Sequence, residues 1–149
     1  MTDVGLNPIL IVDDSDDDCE AMMRALKRGT DVANPIVRFD NGQAALDYIL
    51  APRSDGNPGP GPRPALVLLD LNMPGVDGRQ VLRAIKADES SRTVPVVVLT
   101  TSDDDWDIHN CYAEGASTYI KKPVELDGFF KAVGVLKDYW LQVALLPKA

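Results

Sequence analysis

Residues 66–74 read LVLLDLNMP, so that four consecutive apolar residues lead directly into Asp70. A short run that is apolar at every position is typical of a strand buried on both faces, as in a parallel sheet covered by helices. Four further short runs, apolar except for Arg38, lie along the chain at residues 9–12, 36–39, 96–99 and 119–120. We therefore predict an α/β architecture with a five-stranded parallel sheet that is doubly wound, with helices on both faces.

The spacing of apolar residues between these runs predicts five helices. The first covers residues 16–28, with Ser15 as its N-cap and Gly29 at its end. The others are expected at residues 43–50, around the apolar side of Val81, Leu82 and Ile85, from the caps Ser102 and Asp103 to about Gly115, and from after Pro123 to about Val143.

The chain has 149 residues, of which 45% are hydrophobic and 26% are charged, as in an ordinary globular domain. We predict a single domain over residues 1–149, in which residues 142–149 form a C-terminal tail. Residues 52–64 are dense in Pro and Gly and should form an irregular surface loop. Because only the short tail follows the fifth helix, we expect no fused output domain.

Charge and composition narrow the function classes. A formal net charge of -8 repels phosphate backbones and anionic membrane surfaces, so we expect neither nucleic acid nor membrane as a partner. No basic stretch precedes an apolar run, and no apolar run reaches the roughly 18 residues of a membrane span. Cys19 and Cys111 are far apart and lack a neighbour at metal-ligand spacing, which predicts reduced thiols in a cytoplasmic protein.

Polar side chains follow four of the predicted strands. Asp13 and Asp14 follow the first strand, Asp70 the third, Thr100 the fourth and Lys122 the fifth. In an open parallel sheet ligands bind at the carboxyl ends of the strands, so we expect these residues to meet at one edge. Three convergent carboxylates without His or Cys favour a hard divalent ion, and we predict Mg²⁺ as the cofactor.

This predicted site suits phosphoryl transfer onto a carboxylate. The ion would let an anionic phosphodonor approach the acidic residues, and Asp70 would act as the nucleophile. Lys122 supplies an ammonium that pairs with Asp70 and then with a phosphoryl oxygen, and Thr100 supplies a hydroxyl donor. A cis bond between Lys122 and Pro123 would aim the lysine into the site, and the sequence leaves this isomer open.

Four motifs resemble, in order and in spacing, those of the receiver domains of two-component response regulators. They are ILIVDD at residues 9–14, LDLNMPGVDG at 69–78, LT at 99–100 and KP at 122–123. The resemblance covers nearly the whole chain and implies a flavodoxin-like strand order and a sensor histidine kinase as partner. It also implies that Asp70 is the phosphoacceptor, that Asp13 and Asp14 bind the metal, and that the backbone carbonyl of Asn72 is a further ligand.

The same resemblance implies a switch. Tyr119 matches the aromatic switch position of the family, and its ring is expected to follow the Thr100 hydroxyl inward on phosphorylation. The Pro/Gly-rich insert, the VLTTS run at 98–102 and the ending at 138–147 further resemble stand-alone regulators partnered with bacteriophytochrome kinases. Thr101 departs from the small residue many receivers carry there. Ser102 and Asn72 stand where the family tunes the phosphate lifetime, which stays open.

The last helix carries more apolar residues than one sheet face covers. One helical stripe, expected on the sheet, contains Phe129, Val133, Leu136, Trp140 and Val143. A second apolar set lies beyond that stripe, and monomers seldom expose such a patch. We therefore predict a homodimer formed through this helix and the tail, with simple coverage of the core as the alternative. The predicted contact residues are Phe130, Tyr139, Trp140, Leu141, Leu145 and Leu146.

Other acidic and aromatic residues receive simpler interpretations. Residues 16–18 and 103–105 are expected as solvated first turns of helices, where acidic side chains favour the helix dipole. His109 is expected on a helix surface, and Trp106 is left open between the core and a partner face.

Competing functions are weighed against the same residues. A calcium-binding helix-loop-helix lacks its required glycine and terminal glutamate after Asp13. A phosphatase of the haloacid dehalogenase type needs a second Asp two positions after the nucleophile, where Asn72 stands. A pseudo-receiver that only binds partners predicts neither Mg²⁺ dependence nor labelling, which conflicts with five intact site residues.

Overall fold

The computed structural model describes residues 7–28, 32–53 and 61–147. In this part of the chain five strands alternate with five helices, and a π-helical turn follows the last helix. The strands are β1 (Ile9–Val12), β2 (Ile36–Phe39), β3 (Leu66–Leu69), β4 (Val96–Thr100) and β5 (Thr118–Lys121). The helices are α1 (Asp16–Lys27), α2 (Gly42–Ile49), α3 (Gly78–Ala87), α4 (Asp105–Ala113) and α5 (Leu126–Asp138), and the π-helical turn covers Tyr139–Val143.

The five strands form one parallel sheet with the order β2-β1-β3-β4-β5. β1 lies between β2 and β3, so that Ile11 pairs with Arg38 on one side and with Leu68 on the other. The winding direction reverses at the β1–β3 border, which opens a crevice at the carboxyl ends of these two strands. The predicted doubly wound, flavodoxin-like fold is confirmed.

Two apolar cores lie on opposite faces of the sheet, because successive side chains of a strand point to opposite faces. Leu10 of β1 belongs to the core that contains Val81 of α3. Ile11, the next residue, belongs to the core that contains Met22 of α1 and Val133 of α5. β1 is buried at every position, as its continuous apolar run predicts.

Each core also holds one free cysteine. Cys111 lies in the first core and Cys19 in the second, and neither forms a disulfide. Burial is the main cause that raises the pKa of both thiols to about 11. Both residues therefore stay protonated at neutral pH and serve as small core residues.

The strand and helix bounds differ from the predictions by a few residues. β4 extends to Thr100 and β5 covers Thr118–Lys121, because Thr100 pairs with Lys121 in the ladder. α1 has Ser15 as its N-cap, as predicted, and ends at Lys27 with Arg28 as its C-cap. Gly29, predicted to end this helix, lies outside the described residues.

The predicted cap of α4 is wrong by one residue. The N-cap is Asp104, whose side chain accepts a hydrogen bond from the backbone N–H of Trp106. Ser102 lies before this cap, where its hydroxyl accepts from the backbone N–H of Asp104 at 3.3 Å and donates to Asp107 at 2.8 Å. α5 also begins later than predicted, at Leu126, and the π-helical turn carries the helical backbone on to Val143.

The Pro/Gly-rich loop at residues 52–64 is described only at its two ends. Arg53 donates hydrogen bonds to the backbone carbonyls of Tyr48, Ile49, Ala51 and Gly61. Its guanidinium therefore ties the end of α2 to the far side of the loop. At the other terminus, residues 144–147 have no regular structure.

The apolar surplus at the C-terminus is smaller than predicted. Phe130 and Leu141, expected beyond the stripe that covers the sheet, are partly buried against the core beside α1, as is Trp140, which was expected on that stripe. Val143, predicted to cover the sheet, is instead 69% exposed. Tyr139 and Leu145 are exposed, as the dimer prediction requires. Within the described ranges, the helices are too short or too polar to cross a bilayer.

Candidate functional site

The carboxyl ends of four strands deliver polar side chains to one edge of the sheet. Asp13 follows β1 and Asp70 follows β3, while Thr100 ends β4 and Lys122 follows β5. These four residues are buried, and Asp14 beside them is exposed to solvent. The structure thus brings the Lys122 ammonium to the carboxylates of Asp13, Asp14 and Asp70 at this edge, and Thr100 ends the neighbouring strand β4.

Three carboxylates form a cluster that could hold a metal ion. Asp13, Asp14 and Asp70 each offer an oxygen, and these oxygens lie within 4.8 Å of one another. The backbone N–H of Ser15 donates to Asp13 Oδ1 at 2.9 Å, and that of Asn72 donates to Asp70 Oδ1 at 3.4 Å. An all-oxygen donor set open to water through Asp14 fits a hard divalent cation such as Mg²⁺.

Lys122 carries the positive charge next to this cluster. Its Nζ donates to Asp13 Oδ2 and Asp18 Oδ2 at 2.7 Å each, and to Asp70 Oδ2 at 3.4 Å. Burial of the ammonium lowers its pKa, but the bonds to Asp13 and Asp18 and the nearby charges of Asp13 and Asp70 outweigh burial and raise it. Burial raises the pKa of Asp13, against the opposing effect of Lys122. The lysine is therefore a permanent cation at neutral pH.

The backbone around Lys122 is fixed by the sheet. Its N–H donates to the carbonyl of Thr100 at 2.6 Å, which extends the pairing of β5 with β4 past the strand end. The bond to Pro123 is trans, as is every other peptide bond in the described ranges. The side chain thus reaches the cluster from a trans backbone.

The turn after Asp70 is packed tightly enough to require glycine at its end. A Cβ on Gly78 would lie 2.0 Å from the backbone carbonyl oxygen of Asp70 and 2.6 Å from Cα of Leu71. The N–H of Gly78 donates to the carbonyl of Leu71 at 2.9 Å. α3 therefore begins directly against the Asp70 backbone and holds it in place.

Thr100 has an unusual hydrogen-bond deficit. Its residue is fully buried, and Oγ1 is the only buried side-chain nitrogen or oxygen in the described ranges without a hydrogen-bond partner. Buried hydroxyls are nearly always paired, so a group of this kind calls for an explanation such as an absent ligand. A polar ligand bound at this edge of the sheet would supply the missing hydrogen-bond partner.

The predicted switch residue Tyr119 is half-buried and hydrogen-bonded. Its hydroxyl donates to the backbone carbonyl of Ser102 at 2.8 Å. The Ser102 hydroxyl in turn donates to Asp107, which also accepts two bonds of 2.8 Å from Arg79. One hydrogen-bond network therefore joins Tyr119 to the loop that follows β4, and this loop to helices α4 and α3.

Sequence reasoning missed two parts of this arrangement. The solvated-turn interpretation is wrong for Asp18, which binds Lys122, and incomplete for Asp16, which pairs with Arg38 at 2.7 Å. Asp107 was not singled out, although it is a buried acidic residue bound to Arg79. Asp107 lies four residues before the apolar Cys111 on α4, and this spacing, which places the two side chains on one helix face, could have pointed to it.

His109 and Trp106 both lie on helix α4. His109 is exposed on α4, as predicted. Trp106, left open between the core and a partner face, is 64% exposed and so does not pack in the core.

The family model for the response regulator receiver domain matches residues 9–134, which include every strand and all the residues of the acidic cluster. The chain belongs to the response regulator receiver family. Such domains are signalling proteins rather than conventional enzymes, and histidine kinases phosphorylate them.

Relatives of this receiver domain share most of its length. The probable methanogenesis regulatory protein FilR2 of Methanothrix harundinacea is 38% identical over 133 residues, which cover 89% of this chain and 83% of FilR2. The response regulator Rcp1 of Synechocystis is 36% identical over 141 residues, or 95% of this chain and 93% of Rcp1.

Solved structures give the same picture. The phosphorylated cyanobacterial phytochrome response regulator RcpA is 37% identical with a TM-score of 0.85, covering 95% of this chain and 98% of RcpA. The Mn²⁺-bound form of Rcp1 is 35% identical with a TM-score of 0.86, covering 95% of this chain and 99% of that one. The predicted resemblance to phytochrome-associated regulators is thus confirmed.

Proposed function

We propose that this receiver domain accepts a phosphoryl group from a sensor histidine kinase onto Asp70. The single observation that carries the proposal is the position of Asp70, whose buried carboxylate lies between two other acidic residues and the ammonium of Lys122. Asp13, Asp14, Asp70 and the backbone carbonyl of Asn72 would hold Mg²⁺. When bound, the ion neutralises part of the acidic charge and polarises a phosphoryl oxygen.

In the proposed reaction, a carboxylate oxygen of Asp70 attacks the phosphorus of a phosphohistidine. An O–P bond forms, the P–N bond breaks, and the imidazole leaves with its electron pair and takes up a proton. Lys122 offers its ammonium to the phosphoryl oxygens, where added negative charge strengthens the interaction. The buried hydroxyl of Thr100 offers the second donor, which supports a role for its partnerless oxygen.

The switch follows from the same hydroxyl. If Thr100 turns toward the phosphoryl group, the loop that continues from it must adjust, and Ser102 lies two residues along that loop. The Tyr119 hydroxyl is bonded to the Ser102 carbonyl, so its ring is coupled to that adjustment. The surface formed by α4 and β5 would then change shape, as expected of a two-state element biased by one charged group.

The kinase we propose is a bacteriophytochrome, which would place the protein in the cytoplasm beside the kinase. Similarity to RcpA and Rcp1 over nearly the whole chain supports this choice. Red and far-red illumination of a bacteriophytochrome kinase provides the test, with phosphotransfer to this chain expected to depend on the light. Equal transfer in both lights, or transfer only from an unrelated kinase, would contradict the assignment.

The chemical test uses a small phosphodonor and Mg²⁺. Wild type incubated with acetyl phosphate should gain one phosphoryl group by intact mass, and hydroxylamine should remove it, since acyl phosphates are sensitive to this nucleophile. Asp70→Asn should gain none, whereas Asp17→Asn, which removes an exposed carboxylate elsewhere, should label like wild type. A label on Asp70→Asn, or none on wild type, would overturn the proposal.

A homodimer is the second part of the proposal. Exposed Tyr139, Val143 and Leu145 at the C-terminus support it, since they offer apolar surface on one segment. Light scattering over a range of concentrations should reveal a dimer that Leu145→Ser weakens. Val124→Ser is the matched control, because Val124 is 97% exposed on a different loop. A constant monomer mass, with and without phosphorylation, would remove the dimer.

A further inference from the structure

Asp18 reaches the site from the first turn of α1. The backbone N–H of Asp18 donates a hydrogen bond to the Ser15 hydroxyl at 3.2 Å, and this bond fixes the start of the helix. The Asp18 side chain then turns toward the sheet edge, where Oδ2 accepts from Lys122 Nζ at 2.7 Å. Its neighbours Asp16 and Asp17 are exposed instead.

Asp18 differs from the other partners of Lys122. Asp13 and Asp70 also accept from the ammonium, but both belong to the cluster that can hold a metal ion. The cluster does not include Asp18. When a cation binds Asp13 and a phosphoryl group is attached to Asp70, Asp18 is the one carboxylate partner of Lys122 whose main opposite charge is still the lysine ammonium.

Geometry gives this contact weight. The Lys122 side chain is only 5% exposed, so its three N–H donors depend on protein partners rather than on water. Two short bonds, to Asp13 and Asp18, hold Nζ at a longer 3.4 Å from Asp70. Without Asp18, the flexible Lys122 side chain would have one hydrogen-bond partner fewer. It would then adopt more orientations, and ordering it for the reaction would cost more conformational entropy.

We propose that Asp18 is a positioning residue for phosphoryl transfer, which holds the Lys122 ammonium beside Asp70 while the metal ligands are engaged. The inference rests on the proposed function, because it assigns Asp18 a part in that same reaction. It implies that loss of the Asp18 charge slows the transfer step itself, and leaves donor binding and metal binding nearly unchanged.

The test compares Asp18→Asn with Asp17→Asn, which makes the same change in net charge one residue away. Phosphorylation by acetyl phosphate is followed at saturating Mg²⁺ over a range of donor concentrations, and Mg²⁺ binding is measured by calorimetry. Asp18→Asn should lower the maximal rate constant by roughly fivefold to tenfold, as expected for one charge-assisted hydrogen bond partly replaced by a neutral one. The half-saturating donor concentration should stay within about twofold of wild type.

The outcomes separate this inference from the proposed function. A maximal rate equal to that of Asp17→Asn, or a change confined to donor or Mg²⁺ affinity, would overturn the role of Asp18 and leave Asp70 as the acceptor. Absence of label on wild type would overturn both. Urea midpoints of the two variants provide the folding control, and a rate loss that accompanies a lower midpoint and is matched by Asp17→Asn counts against the proposal.

Discussion

The Arg79–Asp107 pair, which also holds Ser102 in the loop after β4, offers a test of how much a mostly buried ion pair stabilises the fold. We consider Arg79→Met, which keeps an apolar stem of similar length and removes both bonds to Asp107. The Asp107 carboxylate then stays largely buried with Ser102 as its remaining partner. The side chains of Arg79 and Asp107 are 24% and 10% exposed.

The magnitude follows from that exposure. Removing one partner of a fully buried pair costs about 3–5 kcal/mol, whereas an exposed pair contributes about 0–1 kcal/mol. A pair that is mostly but not fully buried should fall between these limits, and we expect a loss of about 2 kcal/mol. For a domain of this size that corresponds to a fall in Tm of roughly 4–8 °C.

Urea unfolding at pH 7 measures the effect, and Arg83→Met is the matched control. Arg83 lies one turn further along α3 and pairs with Glu114 at 3.2 Å, but the two side chains are 64% and 30% exposed. Its replacement should cost less than about 0.5 kcal/mol. An equal loss in the two variants would refute the argument from burial.

The pH dependence gives an independent check. The hydrogen bond from Arg79 is the main cause that lowers the pKa of Asp107 in the folded protein. A group with a lowered folded pKa stabilises the protein above its unfolded pKa of about 3.9 and loses that contribution as the pH falls. The gap between wild type and Arg79→Met should therefore be constant from pH 7 to about pH 5 and shrink below about pH 4. A gap that is unchanged at low pH would contradict this assignment.

Three further predictions follow from other contacts. Gly78→Ala should lower the free energy of unfolding in urea by at least about 2 kcal/mol, because the added Cβ would collide with the Asp70 backbone. Gly134→Ala, whose Cβ would have nothing within 4 Å, should raise it by about 0.5–1 kcal/mol, and similar effects at the two positions would contradict the packing argument. Thr100→Val should leave the free energy of unfolding unchanged or raise it by up to about 1 kcal/mol, since it removes a partnerless hydroxyl, while lowering the yield of phosphorylated protein by intact mass; a clear loss of stability would show that the hydroxyl is paired. Mg²⁺ at about a hundred times its Kd should stabilise wild type by about 2.7 kcal/mol in thermal unfolding and Asp14→Asn by much less, and equal shifts would place the ion elsewhere.

The three central strands could be predicted because they are short, buried and almost continuously apolar, whereas the edge strands β2 and β5 are only partly buried and include Arg38 and Lys121. Burial on both faces leaves a signal that needs no knowledge of the neighbours, and β1 and β3 end where that signal ends. The end of β4 was set one residue early because Thr100 is polar, yet the ladder with β5 continues through it. Strand ends at a functional edge therefore extend into the polar residues of the site.

Some helix ends and the surroundings of the C-terminal apolar residues could not be predicted, because they depend on tertiary contacts. Three consecutive acidic residues, 103–105, stand at the start of α4, and sequence alone could not distinguish which of them caps the helix. Asp104 takes that role, since its side chain accepts from the backbone N–H of Trp106, while the Ser102 hydroxyl accepts from the N–H of Asp104 itself. Phe130 is partly buried within the chain, where the Arg28 guanidinium lies 4.8 Å from the centre of its ring, and its contact with a second copy stays a prediction.

In the candidate site, too, some residues could be predicted from the sequence and another could not. Asp70, Thr100 and Lys122 could be predicted because each stands at the end of a strand, and parallel strands bring their ends together. Asp18 could not, because its role depends on how the first turn of α1 is oriented over the sheet edge. An acidic first turn is common for reasons of the helix dipole alone, which conceals the one member that faces inward.

The most direct test of the central claim is to locate the phosphoryl group. Wild type phosphorylated by acetyl phosphate with Mg²⁺ can be reduced with borohydride, which converts an aspartyl phosphate to homoserine, and then sequenced by mass spectrometry. We predict homoserine at residue 70 and at no other acidic position. Homoserine at Asp13, Asp14 or Asp18, or unmodified Asp70 in protein that carries the group, would contradict the account.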